Sequence, residues 1–363
     1  METKAALYKA LTRWYEANKR ILPWRETDDP YRIWLSEIIL QQTRVQQGMD
    51  YYLRFLSRFP DVRSLAEAPE DEVLLLWQGL GYYSRARNLH KAAQMIVSQG
   101  WTPFPKTFEQ VRSLPGVGDY TAGAIMSFAY DEPYPAVDGN VYRVLSRLYD
   151  CDEPFDTTAG KKRFREFAWE LLSRDHPRLH NSALMEFGAL YCTPTGMDCD
   201  RCPLRAFCLA QSRGTAELLP VRKPRPTLRD RYLLYTVYLT PDNRTLLHQR
   251  DNNDIWKHLY EFPLKEVSYS FEEIPLRPNG HLPYFRGGVS EEPRAKRALY
   301  THVLSHQRLH VCFETKAVKT LPEIEGCFAI SWDELQNYPL SRLTLKYLEQ
   351  FPHPNGAKKS LPE

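Results

Sequence analysis

Four cysteines fall within a short polar stretch of the chain: Cys192, Cys199, Cys202 and Cys208, spaced C-x6-C-x2-C-x5-C. Thiolates gathered this closely, in a chain with 7 cysteines, read as a metal or iron–sulfur site. Structural zinc sites present two short pairs, and here only Cys199 and Cys202 form one. That spacing favours a 4Fe–4S cluster held by four thiolates over zinc. Two disulfides are the bland alternative, and no secretory signal supports them.

Carboxyl groups offer a second chemistry. Glu37 sits among Ile33, Trp34, Ile38 and Ile39 at helical spacing. A carboxyl desolvated by such neighbours has a raised pKa and donates a proton near neutral pH; the alternative is an exposed helix glutamate. Asp138, in Asp138-Gly-Asn-Val-Tyr-Arg-Val, reads by itself as the N-cap of the helix that follows. One carboxylic acid with one carboxylate is also the pair that breaks glycosidic bonds through oxocarbenium-like transition states.

Other residues suit nucleic acid. Leu114-Pro-Gly-Val-Gly-Asp-Tyr-Thr-Ala-Gly-Ala predicts a helix, a glycine turn at Gly116, Val117 and Gly118, and a second helix. The outward N-terminal amides of such a helix bind phosphate, although a plain packing element has the same spacing. Gln41-Gln42-Thr43-Arg44 closes the Glu37 helix, and Gly79-Leu-Gly-Tyr82-Tyr83-Ser-Arg85-Ala-Arg87 joins a glycine turn, aromatics and base. Amide and aromatic side chains wedge into base steps while arginines hold phosphates.

The elements that must position these groups are helical through residue 210. Apolar residues recur at helical spacing over 5–17 and 31–45. Further helices are expected at 50–58, 70–78, 84–99, 107–114, 119–130, 139–149, 159–174 and 178–190, punctuated by proline and glycine. The proline-rich, basic stretch from Pro220 reads as a linker. Beyond it, runs at 232–239 and 245–250, separated by Pro241-Asp-Asn-Arg, read as a hairpin. Strands at 299–304, 308–314 and 327–330 and helices at 331–336 and 342–350 make this part α+β. Net charge is +3 over 363 residues, which permits nucleic-acid binding without arguing for it. No run approaches the roughly 18 apolar residues of a membrane helix, so no membrane contact is expected. The N-terminus has no apolar core of signal-peptide type, and the cytoplasm of a bacterium, near the nucleoid, is the expected compartment.

Over nearly its whole length the chain resembles the MutY family of adenine DNA glycosylases, in the helix–hairpin–helix superfamily. The matching stretches are LPWR (22–25), WLSEIILQQTRV (34–45), GLGYYSRARNLHKAA (79–93), LPGVGDYTAGAI (114–125), DGNVYRVLSR (138–147), LMEFGALYC (184–192) and the four cysteines. Bifunctional relatives carry a nucleophilic lysine in the hairpin; this chain has Tyr120 there, and a second domain after residue 230. The resemblance implies a mainly α N-terminal region, a helix–hairpin–helix glycosylase with an iron–sulfur loop, plus an α+β Nudix-like C-terminal domain. The implied organisation is a glycosylase domain at 1–212, a linker at 213–230, a lesion-recognition domain at 231–352 and a flexible tail at 353–363.

The resemblance also implies a monomer that removes adenine opposite 8-oxoguanine or guanine in duplex DNA. Glu37 would be the acid that protonates the adenine ring. Asp138 would stabilise the oxocarbenium sugar or attack it, supported by Tyr120 and Asn140. Trp24, Arg25 and Glu186 would line the pocket for the flipped base, while Gln42 and Tyr82 fill the vacated stack. Gly116, Val117, Gly118, Arg85 and Arg87 would meet the DNA backbone. Ser305 and His306 match a lesion-reading loop in which Leu304 replaces the family's phenylalanine, and His258 stands where the family has glycine. No Nudix box is present, since the glycine-led stretch at Gly287 lacks it, so pyrophosphohydrolase activity is not expected. The alternatives are a related glycosylase acting on another mismatch or an oxidised pyrimidine, and a non-catalytic DNA-binding scaffold or iron–sulfur sensor.

Overall fold

The computed structural model describes residues 2–224, 227–251, 254–268, 271 and 296–351. The tail expected at 353–363 and the Gly287 stretch lie outside the described residues. The chain divides into two compact units, Met1–Glu67 with Asn88–Pro224, and Ala68–Arg87 with Arg225–Glu363. Among the described residues no helix is long and apolar enough to cross a membrane.

The first unit is built from helices. In chain order they are α1 (Glu2–Asn18), α2 (Pro30–Leu40), α3 (Val45–Arg58) and α4 (Val62–Glu67). After α5 (Glu70–Leu76), which belongs to the second unit, come α6 (Ser84–Ser98), α7 (Phe108–Ser113), α8 (Asp119–Tyr130) and α9 (Gly139–Leu148). The set ends with α10 (Thr158–Leu171), α11 (Pro177–Leu190) and α12 (Leu209–Arg213). Helix α2 begins sharply because Asp29 caps it, accepting from the Tyr31 amide at 2.9 Å, and Pro30 fills its first turn. Nearly every side chain from Tyr31 to Ile39 is buried, so α2 is a central helix rather than a surface one. It was expected to run on to Val45. Instead it stops at Leu40, because Gln42 adopts a left-handed conformation with φ 55°, which no helix accommodates.

Small residues in α8 let backbones approach. A Cβ on Gly123 would stand 2.5 Å from the Pro135 carbonyl oxygen. Gly188 in α11 does the same against α9, where a Cβ would meet Asn140 at 2.8 Å. Leu11, Val144, Leu145, Phe164 and Phe187 fill the core below these helices; complete burial of each stabilises by roughly 1.5–3 kcal/mol.

The second unit contains two sheets. Strands β1 (Arg229–Leu239), β4 (Leu264–Val267), β5 (Lys296–Val303) and β6 (Gln307–Ala317) form one, in the order β4-β1-β6-β5. The other is formed by β2 (Arg244–Gln249), β3 (Tyr260–Glu261) and β7 (Cys327–Ser331), in the order β3-β2-β7. A final helix, α13, spans Arg342–Gln350. The hairpin expected of β1 and β2 is not made. Its turn exists, with the Thr240 amide donating to Arg244 O at 3.1 Å, but β1 pairs in parallel with β6 along 229–239. With β4 on its other edge, β1 has no edge left for β2. The two sheets share one core instead, which Val237 and Leu247 both enter.

Residues 68–87 were expected within the helical domain, but they group with the C-terminal residues. Tyr83 Oη donates to Leu340 O at 3.1 Å, the Leu340 amide to Gln78 Oε1 at 2.7 Å, and Tyr260 Oη to Asp71 Oδ2 at 2.9 Å. The expected linker is also shorter than 213–230. Arg147 Nε donates to Ala216 O at 2.8 Å, and the Lys223 amide to Asp156 Oδ1 at 3.0 Å, which holds the chain to the helical unit.

Candidate active site

A cleft of about 570 Å³ opens in the helical unit, and Glu37, Tyr120, Asp138, Asn140, Arg25 and Glu186 all line it. Glu37 comes from buried α2, Tyr120 from the start of α8, Asp138 and Asn140 from the start of α9, and Glu186 from α11. Tyr120 Oη donates to Glu37 Oε2 at 2.6 Å. Burial pushes the Glu37 carboxyl up to about 7; the Tyr120 hydrogen bond and the Arg25 charge oppose that rise, and the Asp138 charge adds to it. Glu37 is therefore a carboxylic acid able to give up a proton near neutrality. Tyr120 is held well above its ordinary pKa, first by burial, so it stays a donor.

Asp138 caps α9, as its position predicts. Its Oδ1 accepts from the Val141 amide at 2.8 Å, and Oδ2 from Asn140 Nδ2 at 2.8 Å. Burial raises its pKa, while these bonds and Arg143 favour the ionised form. Capping and catalysis are compatible readings of the same residue: the cap bonds fix the carboxylate at the cleft.

Glu186 is fully buried against two guanidinium groups. Burial alone would raise its pKa, but Arg20 and Arg25 overcome that and hold it at about 2. Trp24 packs edge-on to Tyr52 at 5.2 Å between ring centroids, forming apolar wall.

Gly116 turns the hairpin between α7 and α8 with φ 79°, and a Cβ there would strike Asn88 at 2.9 Å. Gly118 caps α8, and no protein atom would crowd a Cβ there, so the helix N-terminus is open to an approaching phosphate. Val117 is buried, 4% exposed, so it contributes packing and its backbone alone. Gln42 and Tyr82 are both exposed and both left-handed, at φ 55° and 49°. Such strain in non-glycine residues gathers at functional positions.

Arg85 and Arg87, expected at the DNA backbone, are engaged with protein. Arg85 is buried over the Trp77 ring, 5.1 Å from its centroid, and donates to Gly81 O; burial lowers its pKa to about 10. Arg87 Nη1 donates to Lys257 O at 2.8 Å. They brace the turn that presents Tyr82, because desolvated guanidinium groups need such partners. Ser305 and His306 are exposed at the tip between β5 and β6. There His306 Nδ1 lies 3.1 Å from Ser305 Oγ and its Nε2 2.7 Å from Gln307 Nε2. His258 has φ 65°, the conformation that suits the family's glycine; its imidazole contacts Glu70 in compensation.

The four cysteines line one cavity of about 30 Å³ beside Arg147. Arg147 Nη1 donates to Cys192 Sγ at 3.2 Å. Burial raises Cys199, Cys208 and Cys202, the last to about 12, and neighbouring thiolates of the set add to each rise. Thiolates gathered this closely repel one another, and a cationic group between them relieves that repulsion. Four cysteines around one cavity are the donor set that a metal or iron–sulfur group takes.

Three arginines of this site were not picked out from the sequence: Arg20, Arg143 and Arg147. Arg143 and Arg147 stand one and two turns into α9 after Asp138, four residues apart on one side of the helix, and exposures of only 8% and 2% mark them as structural cations. That period was the available signal. Arg20 carried none.

Residues 35–174 match the HhH-GPD superfamily of base excision DNA repair proteins, and residues 234–350 match the NUDIX domain. A solved thermostable thymine-DNA glycosylase has a similar fold, with a TM-score of 0.53 and 25% identity, over 58% of this chain and 98% of that one. An endonuclease III–DNA complex, at 20% identity and a TM-score of 0.50 over 58% and 97%, shares the fold. With a carboxylic acid and a capped carboxylate in one cleft, fold and site define a helix–hairpin–helix DNA glycosylase. Adenine DNA glycosylases are similar across most of the chain. That of Schizosaccharomyces pombe is 37% identical over 93% of this chain and 87% of its own length. The enzyme of Buchnera aphidicola subsp. Schizaphis graminum is 34% identical over 83% and 84%, and that of Rattus norvegicus 32% over 93% and 76%. The chain belongs to the adenine DNA glycosylase family.

Proposed function

We propose that this chain removes adenine paired with 8-oxoguanine or guanine from duplex DNA, by hydrolysing the N-glycosidic bond of a flipped nucleotide. The observation that carries this reading is the cleft shared by Glu37, Tyr120 and Asp138. Flipping costs a few kcal/mol, less at a mismatch. Glu37 gives its proton to a ring nitrogen of the base. The C1′–N bond then breaks and its electron pair stays on the purine. The Asp138 carboxylate meets the resulting oxocarbenium sugar, by charge or by a covalent bond, until water adds at C1′ and loses a proton. Tyr120 keeps the acid in place and offers no amine for a Schiff base, so strand cleavage is not part of the reaction.

Cys192, Cys199, Cys202 and Cys208 would hold a resident 4Fe–4S cluster, which supplies a structural tie and no step of base release. The exposed tip at Ser305 and His306 would read the lesion opposite adenine, and Gln42 and Tyr82 would enter the duplex. The test is single-turnover adenine release from duplexes carrying adenine opposite 8-oxoguanine, guanine or thymine. Asp138→Asn should slow release by about 10²–10⁴-fold; full activity would sink the mechanism. Strong borohydride trapping of the protein on DNA would favour a lyase relative instead.

A further inference from the structure

Arg20, in the loop after α1, has more contacts with Glu186 than any residue expected in the site. Its Nε donates to Oε1 and its Nη2 to Oε2, both at 2.7 Å, and its backbone amide donates to Oε1 at 3.0 Å. Arg25 Nη2 adds a contact to Oε2 at 2.8 Å. An ionised carboxylate offers about four acceptor positions, and two donors now occupy each oxygen. Glu186 has no acceptor left for a bound base. Its charge instead fixes Arg25, which lines the cleft and whose Nη1 is buried without a partner.

We infer that Arg20 is a positioning residue that saturates Glu186, so that Glu186 serves as the fixed counter-ion of Arg25 and Arg25 is the donor that meets the departing base. This rests on the adenine-release reading above. As the glycosidic bond breaks, its electron pair passes to the protonated purine, which leaves neutral. An oriented donor to a second acceptor atom of the base stabilises that gain of electron density. The forked grip is what orients that donor: a lysine at position 20 supplies charge without the two parallel donors. The competing arrangement, in which Glu186 itself accepts from the base, requires Arg20 to let go.

The experiment compares single-turnover adenine release, duplex affinity and melting temperature for wild type, Arg20→Met, Arg20→Lys, Glu186→Gln and the Met/Gln double variant. Arg20→Met and Glu186→Gln should each slow release by about 10- to 100-fold through misplacement of Arg25, with duplex affinity kept. The double variant should be no slower than the slower single one, because both break one linkage. Arg20→Lys should be intermediate. In Arg20→Met the alkaline limb of the pH profile should move up, since Glu37 loses a fixed positive neighbour. A wild-type rate in Arg20→Met, or additive losses in the double variant, overturns the role. If Arg20→Met does not fold, Arg20→Lys decides: an intermediate rate at native melting temperature supports the inference, and a wild-type rate overturns it. A wild type that releases no adenine removes the proposed function itself, and the inference with it.

Discussion

Arg143 donates its Nε to the backbone carbonyl of Cys192 at 2.7 Å. The same guanidinium donates through Nη2 to Asn140 Oδ1 at 2.9 Å and Gly188 O at 2.7 Å. Asn140 in turn holds Asp138. The first turns of α9 thus tie the proposed carboxylate to the backbone of Cys192 through two side chains, Asn140 and Arg143. Arg143→Lys keeps a cation but loses the planar fork whose two separate nitrogens reach Cys192 O, Asn140 Oδ1 and Gly188 O. It should lower adenine release by about 10-fold or more through loss of orientation, with duplex binding kept. Equal loss of both in a binding and single-turnover assay would point to unfolding instead.

Glu37 sets the pH dependence. It acts as an acid, so release should fall as pH rises through about 7. Tyr120→Phe removes a bond that favours ionised Glu37, so the alkaline limb should shift to higher pH; a downward shift would contradict the assignment.

The same carboxyl has a cost in stability. Its folded pKa lies above the ordinary value of 4.5, so the folded state binds more protons between the two values and stability falls as pH rises through them. Glu37→Gln should therefore be inactive yet more stable at pH 8, by up to roughly 3 kcal/mol, with less gain at pH 5. Thermal melts at both pH values check the sign. Active sites often carry such a trade.

Cys202→Ser tests the cluster. Its side chain lines the same cavity as the other three cysteines, so if the four hold the proposed cluster the serine protein should lose bound iron and visible absorbance. Melting temperature and duplex binding should fall before the intrinsic chemistry does, because the cysteines line a cavity apart from Glu37 and Asp138. Full iron content in the variant would refute the ligand assignment.

His258 carries strain that glycine would not. His258→Ala keeps the left-handed φ of 65° and loses the Glu70 contact, so it should be less stable than His258→Gly by about 1 kcal/mol. Equal melting temperatures would mean the loop relaxes.

Much of this was legible in the sequence because it is local. Periodicity located most of the helices and strands to within a few residues, and the cysteine spacing, the glycine turn before α8 and the Asp138 cap were each written within a few neighbouring positions. What was not legible depended on partners far along the chain. Whether β2 joins β1 depends on who occupies β1's edges, and β6 arrives some 70 residues later. Arg85 looked like a free cation until Trp77 and Gly81 enclosed it. The sequence by itself placed Glu37 among apolar neighbours and so made it a candidate acid, with an exposed helix glutamate as the alternative. Only the tertiary structure brought Tyr120 to it across 83 residues, and Arg20 to Glu186 across 166. Desolvation and charge pairing are sums over everything packed around a group, and that packing exists only in the folded chain.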